Sequence, residues 1–245
     1  MPRTARGLVG GQIYHVLNRG NGRANVFHKP QDFAAFVNLI AEAKERYPVK
    51  LFAYCLMSNH FHLLVKPEQG EDLSKWMQWL MTSHVRRYHR HHGSSGHVWQ
   101  GRFKSFIVQD DDHLLTAMRY VEGNPVQAKM VKSAADWPWS SHLENLGTVS
   151  SQSEVTVPVD EAVGRVEVLG TGNLREPVPG DVTDREPLVG VGQAPAVPAP
   201  VVDVGRCKLP HDWTAYVDTP LTGLELNRMK RSLHRLVPFG SGTGS

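Results

Sequence analysis

Apolar positions along the first 125 residues follow two periods, and each change of period marks a new element. QIYHVLN (12–18) alternates as a strand does and stops at Arg19-Gly20-Asn21-Gly22-Arg23. Residues 30–47 place Phe33, Phe36, Val37, Ile40 and Ala43 on one side of a helix. Residues 53–66 read as a hairpin: an apolar run to Met57, a Ser58-Asn59 break, then a second run from His60 to Val65. A long helix follows over 70–92, with Leu73, Trp76, Met77, Leu80, Met81 and Val85 apolar. GRFKSFIVQ (101–109) adds a strand. From Asp110, Leu114, Leu115, Ala117, Met118 and Val121 recur at helical spacing behind acidic residues that suit a helix N-terminus, and Gly123-Asn124-Pro125 ends the run. The order strand, helix, strand, strand, helix, strand predicts an α+β fold. It is the ferredoxin-like arrangement, an antiparallel sheet with helices packed on one face. Trp137 and Trp139, around Pro138, are expected to cap the core and close the domain near residue 147.

Composition changes after that point. Residues 148–205 are rich in Val, Gly, Pro, Ser and Thr, and 193–203 read as an extended linker, so the stretch is expected to be mostly irregular. Order returns in 206–245. Thr222 and Glu225 form a capping-box pattern, and Leu226, Met229, Leu233 and Leu236 share one helical stripe, with Arg228, Lys230, Arg231 and Arg235 on the remaining surface. The organisation is therefore a domain at 1–147, an acidic Pro/Gly-rich insert or linker at 148–205, and a basic helical segment at 206–245. Charge follows these boundaries: 18 Lys+Arg against 12 Asp+Glu in the first part, 3 against 9 in the second, 6 against 3 in the third. The whole-chain value of +3 hides a basic domain and tail suited to a polyanion partner. Cys55 and Cys207 give neither a disulfide framework nor a zinc spacing. The absence of an 18-residue apolar run or an apolar leader leads to the expectation of a soluble cytoplasmic protein with no membrane partner.

The candidate chemistry sits on two of these elements. On a strand, His60 and His62 project from the same face, and two imidazoles so held can share a divalent cation. They also read as half-exposed strand histidines with no ligand. Tyr120 lies near the end of its helix, and Asn124 falls one turn later on the same side. Two histidines, an amide oxygen and a phenol suit phosphoryl transfer, the cation polarising a phosphate that the phenolate attacks in line. Tyr120 reads equally as a helix tyrosine packed on the sheet. Glu122, the local acid, is turned away from Tyr120 by helical geometry. Around these residues lie candidate nucleic-acid contacts. Arg19 and Arg23 bracket a glycine loop able to hold phosphate, Arg86, Arg87 and Arg90 end the second helix, and Trp99, Arg102 and Lys104 combine stacking with charge. Trp99 and Phe103 read alternatively as core.

Six blocks carry a resemblance: YHVLNRGNGR (14–23), FAYCLMSNHFHLLVK (52–66), GHVWQGRFKS (96–105), MRYVEGNPVQAKMV (118–131), DWPWSSH (136–142) and LTGLELNRMKRSLHRLVPFG (221–240). In order and spacing the chain resembles the HUH-type single-strand DNA transposases with a catalytic tyrosine, most closely the REP-associated tyrosine transposases. The resemblance implies the same fold, with the tyrosine helix near the histidine pair. It implies a metal-dependent endonuclease and strand transferase in which Tyr120 forms a 5′-phosphotyrosine and frees a 3′-OH. Mg²⁺ or Mn²⁺ would be held by His60, His62 and the Asn124 side-chain oxygen, and Arg228 and Arg231 would join the DNA surface. The implied partner is single-stranded or hairpin DNA of repeated extragenic palindromes; monomer and homodimer both remain open. A catalytically silent, domesticated hairpin binder is the second reading. An HUH replication initiator or relaxase is the third, although GHVWQGRFKS and DWPWSSH match the transposase branch. The insert at 148–205 is longer and richer in glycine than the family's usual connection.

Overall fold

The computed structural model describes residues 7–108, 111–147, 202–203 and 209–227. Its centre is a four-stranded antiparallel sheet built from β1 (Ile13–Arg19), β2 (Val49–Met57), β3 (His60–Pro67) and β4 (Lys104–Val108), in the order β2-β3-β1-β4. The crossover helices are α1 (Pro30–Arg46), between β1 and β2, and α2 (Gly70–His92), between β3 and β4. Both start alike. Asp32 Oδ2 accepts from the backbone N–H of Lys29, and Asp72 Oδ2 from that of Gln69, satisfying N-terminal donors that the helix itself leaves open. Gly93, in the left-handed region at φ 56°, ends α2.

Alternation along the strands divides the side chains between two cores. Tyr14 and Val16 of β1 and Phe61, Leu63 and Val65 of β3 join Phe36, Ile40, Trp76 and Leu80 of α1 and α2. Ala53, Cys55 and Met57 of β2, Leu64 of β3 and Val108 of β4 face the other way. A bulge between Leu51 and Ala53 shifts the β2–β3 register, and both Phe52 and Ala53 join that second core.

The α+β antiparallel architecture is the one the sequence predicts. The distribution of helices corrects the expectation of one face. α1 and α2 share a face, whereas α3 (Asp111–Glu122) covers the opposite one with Leu114, Ala117, Met118 and Val121. The reason lies in the strands: the second face is also apolar, and leaving Leu64, Ala53 and Cys55 in water would forfeit their burial free energy. Short helices α4 (Asn124–Gln127) and α5 (His142–Asn145) lead out of α3 and past the tryptophan segment. Trp139 stacks on Phe33 with ring centroids 5.1 Å apart, and Trp137 Nε1 donates to the Leu56 carbonyl at 3.0 Å. α6 (Trp213–Asp218) then packs against α3, burying Trp213 and Val217 in the second core. Asp203 accepts from Lys44 and from the backbone N–H of Leu51, so this end of the 148–205 stretch touches β2. The rest of that stretch lies outside the described residues, apart from Val202.

Candidate active site on the second face of the sheet

The β2–β3 turn sets one end of the site. Ser58 O accepts from the backbone N–H groups of Val26 and Phe27, and Asn59 O accepts from that of Gly20, tying the turn to the loop after β1. A Cβ on Gly20 would stand 2.1 Å from the Ala24 carbonyl oxygen, so the loop needs glycine there. Asn59 Nδ2 donates to Arg23 O at 3.1 Å, which points its oxygen toward the next residue, and His60 Nδ1 lies 2.7 Å from Asn59 Oδ1. An amide oxygen only accepts. His60 therefore carries its proton on Nδ1 and keeps a lone pair on Nε2.

His60 and His62 project from the same face of β3, their rings 5.0 Å apart. On that face α3 brings Tyr120 edge-on to His62, with ring centroids 5.8 Å apart at 84°. Asn124 stays within one turn of Tyr120. Gly123 N–H still bonds Arg119 O in helical fashion, and Asn124 Nδ2 donates to the Tyr120 carbonyl at 3.2 Å. The amide nitrogen is thereby occupied, and Oδ1 is the atom left for a ligand. The sequence reading missed His15. In β1 it stands beside His62 on the same face, 1% exposed, with its Nε2 2.8 Å from His62 Nδ1. Its ring also meets Tyr120 edge-on at 5.8 Å. The one available signal was a histidine at an alternating position of the first strand, and it becomes readable once β1 is placed next to β3.

Electrostatics keep these imidazoles neutral. Burial holds His15 at about 4, and burial with the nearby Arg19 charge holds His60 at about 4. His62 is pushed well below the usual range, by burial first and then by His15, His60 and Arg19. Neutral imidazoles are the form that ligates a cation. Among the described residues no group of three or more His, Cys, Asp or Glu is placed to hold a metal ion. The donors this face offers a cation are the Nε2 atoms of His60 and His62, with the Asn124 oxygen as a candidate one turn beyond Tyr120. Oxygens from Asn124, substrate and water suit Mg²⁺ or Mn²⁺, while the two imidazole nitrogens are softer donors that favour Mn²⁺ over Mg²⁺.

Glu122 is fully buried and faces away from this site. It accepts from Ser141 Oγ at 2.7 Å, His142 Nδ1 at 3.0 Å, Trp213 Nε1 at 2.8 Å and Asn145 Nδ2. Arg119, also on α3, donates to the Thr219 and Pro220 carbonyls and to Glu225, with its guanidinium over the Tyr216 ring. The residues flanking Tyr120 are thus anchored by the C-terminal segment.

The candidate DNA contacts divide. Lys104 is exposed and pairs across the sheet with Leu17, which pairs with His62, so Lys104 lies on the site face. Arg19 ends β1 opposite His60, exposed Arg23 lies in the same loop, and Arg102 is exposed just before β4. Arg86, Arg87 and Arg90 line an open concavity of about 420 Å³ with Ser83 and His91, on α2 and hence across the sheet from Tyr120. Trp99 corrects the stacking expectation. It is 5% exposed and packs against Phe61, His84 and Phe36 in the first core, so its ring offers no free face to a base. Phe103 is buried as well. Arg228 and Arg231 lie outside the described residues.

The sheet thus carries two histidines on one strand with a tyrosine on the facing helix, the juxtaposition that the sequence resemblance implies. Residues 9–124, which include His60, His62, Tyr120 and Asn124, match the family model described as "Transposase IS200 like". A Haemophilus influenzae protein named as a REP-associated tyrosine transposase is 30% identical over 107 residues, 40% of this chain and 61% of that protein. The chain thus spans about 61% of the length of that curated relative. A solved REP-associated tyrosine transposase bound to a REP hairpin is 19% identical, with a TM-score of 0.47 over 69% of this chain and 95% of that one. A Deinococcus radiodurans protein classed with the transposases is 16% identical, with a TM-score of 0.36 over 49% of this chain and 96% of that one. Among the described residues no helix is long and apolar enough to cross a membrane.

Proposed function

We propose that this chain is a divalent-metal-dependent endonuclease and strand transferase for single-stranded DNA. The Tyr120 phenol oxygen attacks a phosphodiester phosphorus and the bond to the 3′-oxygen breaks. The products are a 5′-phosphotyrosine and a free 3′-OH, the phenol proton passing to solvent. Attack by a 3′-OH on that linkage rejoins the strand and returns the tyrosine. The observation that carries this reading is Tyr120 edge-on to His62 at 5.8 Å, on the face that also presents His60. His60, His62 and Asn124 would hold Mg²⁺ or Mn²⁺, which when bound polarises the phosphate and lowers the cost of the attacking phenolate. Arg19 and Lys104 add positive charge on the same side of the sheet, suited to a DNA backbone. The substrate class proposed is a palindromic hairpin with a single-stranded foot, in keeping with the name of the Haemophilus relative.

The test is cleavage of a palindrome-bearing single-stranded oligonucleotide. The strand should be cut at one defined position with Mg²⁺ or Mn²⁺ and left intact in EDTA. Undiminished cutting in EDTA contradicts the metal role. Tight binding of the hairpin with no cutting under any divalent ion indicates a silent binder instead.

A further inference from the structure

We propose that His15 is a positioning residue, the acceptor that keeps the proton of His62 on Nδ1 and so leaves His62 Nε2 for a divalent cation. The proposal rests on the metal reading above. The two imidazoles of the HxH pair are prepared differently. For His60 the protein settles the matter alone, because Asn59 Oδ1 can only accept. For His62 the Nδ1 partner is another imidazole, which can either donate or accept.

The contact is well formed. His15 Nε2 and His62 Nδ1 lie 2.8 Å apart in a buried setting, with the rings 5.0 Å apart and 22° from parallel. His15 is not a third ligand. Its Nε2 is committed to His62, and the three histidines do not form a metal-holding group. The other nitrogen, His15 Nδ1, is buried with no hydrogen-bond partner among the described residues. Among the described residues, therefore, nothing beyond the pair fixes which ring donates. When a cation takes the lone pair on His62 Nε2, the proton of His62 must sit on Nδ1, and His15 Nε2 must accept it. Orienters of this kind fix ring direction and raise ligand basicity.

The position of His15 on β1 reinforces the role. β1 is the neighbour of β3 inside the sheet, paired on both edges, so the ring is carried by rigid backbone. The same ring meets Tyr120 edge-on at 5.8 Å. It thus touches one ligand and the nucleophile at once, and could act through packing alone. The experiment must separate the acceptor from the packing.

Mn²⁺ binding to the full chain without DNA, followed by electron paramagnetic resonance, does so. His15→Leu keeps apolar bulk and removes the acceptor; His15→Gln keeps an acceptor oxygen. The expected result is a loss of about 10- to 100-fold in Mn²⁺ affinity for His15→Leu and a change of only a few-fold for His15→Gln. Wild-type affinity in a folded His15→Leu protein, or equal loss in both variants, overturns the proposal. Histidine ¹⁵N spectra of the wild type saturated with Mg²⁺ give a check that needs no variant. They should place the His62 proton on Nδ1, and a proton on Nε2 overturns the proposal. If the wild type takes up no Mn²⁺ and His60→Ala behaves identically, the metal reading fails and the His15 role falls with it. Uptake lost in His60→Ala but kept in His15→Leu removes the His15 role alone.

Discussion

His60 is oriented by its immediate neighbour in the turn, His62 by a histidine one strand away, and the difference sets how each substitution should behave. His60→Ala or His62→Ala is expected to lower cleavage by at least about 100-fold, since each removes a proposed ligand outright. Asn124→Ala should cost less in the same assay, because water can replace an amide oxygen. Equal losses at all three positions would contradict that ranking. Away from the site, His84 is buried beside Phe36 and Trp99 with Nδ1 unpartnered, and burial holds it down to about 3. The folded protein keeps this ring neutral while the unfolded chain protonates it below its ordinary value of 6.5. Its contribution is present above that value and is lost as pH falls from 6.5 toward 3, at up to about 1.4 kcal/mol per pH unit. Denaturant melts of His84→Phe should accordingly show a shallower fall below pH 6 than wild type; parallel curves would contradict the assignment. At this scale the HxH pair and Tyr120 were legible because a period of two or of 3.6 assigns a face without any knowledge of neighbours. His15 and Trp99 were not. The role of the first depends on strand order, and the fate of the second depends on the loop that folds it under Phe61.

Among the elements, α3 matters most, because its two ends of chemistry and anchorage are interleaved. Tyr120 faces the sheet histidines while Arg119 and Glu122 are held by residues of 213–225 and by α5. Trp213 is 2% exposed and donates to Glu122 Oε2, so Trp213→Ala should cost about 3–5 kcal/mol of stability in denaturant unfolding. A smaller change, Glu122→Gln, replaces an acceptor of four donors by a group with one accepting oxygen. It should destabilise by a few kcal/mol and lower the cleavage rate by loosening α3. Wild-type stability in both variants would show that the C-terminal segment does not hold the helix. The hairpin and both crossover helices were readable from periodicity. The second helical layer was not, because alternation in β1 and β3 shows apolar residues on both faces without saying what covers the second one. The Thr222–Glu225 capping pattern, by contrast, is present as read, with Thr222 N–H donating to Glu225 Oε2 at 2.7 Å and Glu225 N–H to Thr222 Oγ1 at 3.3 Å.

For the whole molecule, the sheet separates two basic regions. Lys104 and the Arg19 loop lie with the histidines, while Arg86, Arg87 and Arg90 line the α2 concavity across the sheet. A strand bound at Tyr120 and continuing as a duplex stem could meet both, passing the edge where the Gly20–Asn59 contact joins loop and turn. Competition binding near physiological salt should therefore favour a hairpin with a single-stranded foot over a duplex of equal length, with affinity falling as salt rises. Equal displacement by the two would mean the basic surface grips any DNA. Tyr120 as the nucleophile is tested by mapping the covalent adduct. After incubation with the hairpin oligonucleotide and Mg²⁺ or Mn²⁺, protease digestion and mass spectrometry should find the 5′-phosphate on the peptide containing Tyr120, and Tyr120→Phe should form no adduct while still binding DNA. An adduct on another tyrosine such as Tyr54 or Tyr88, or one that survives Tyr120→Phe, would contradict the account.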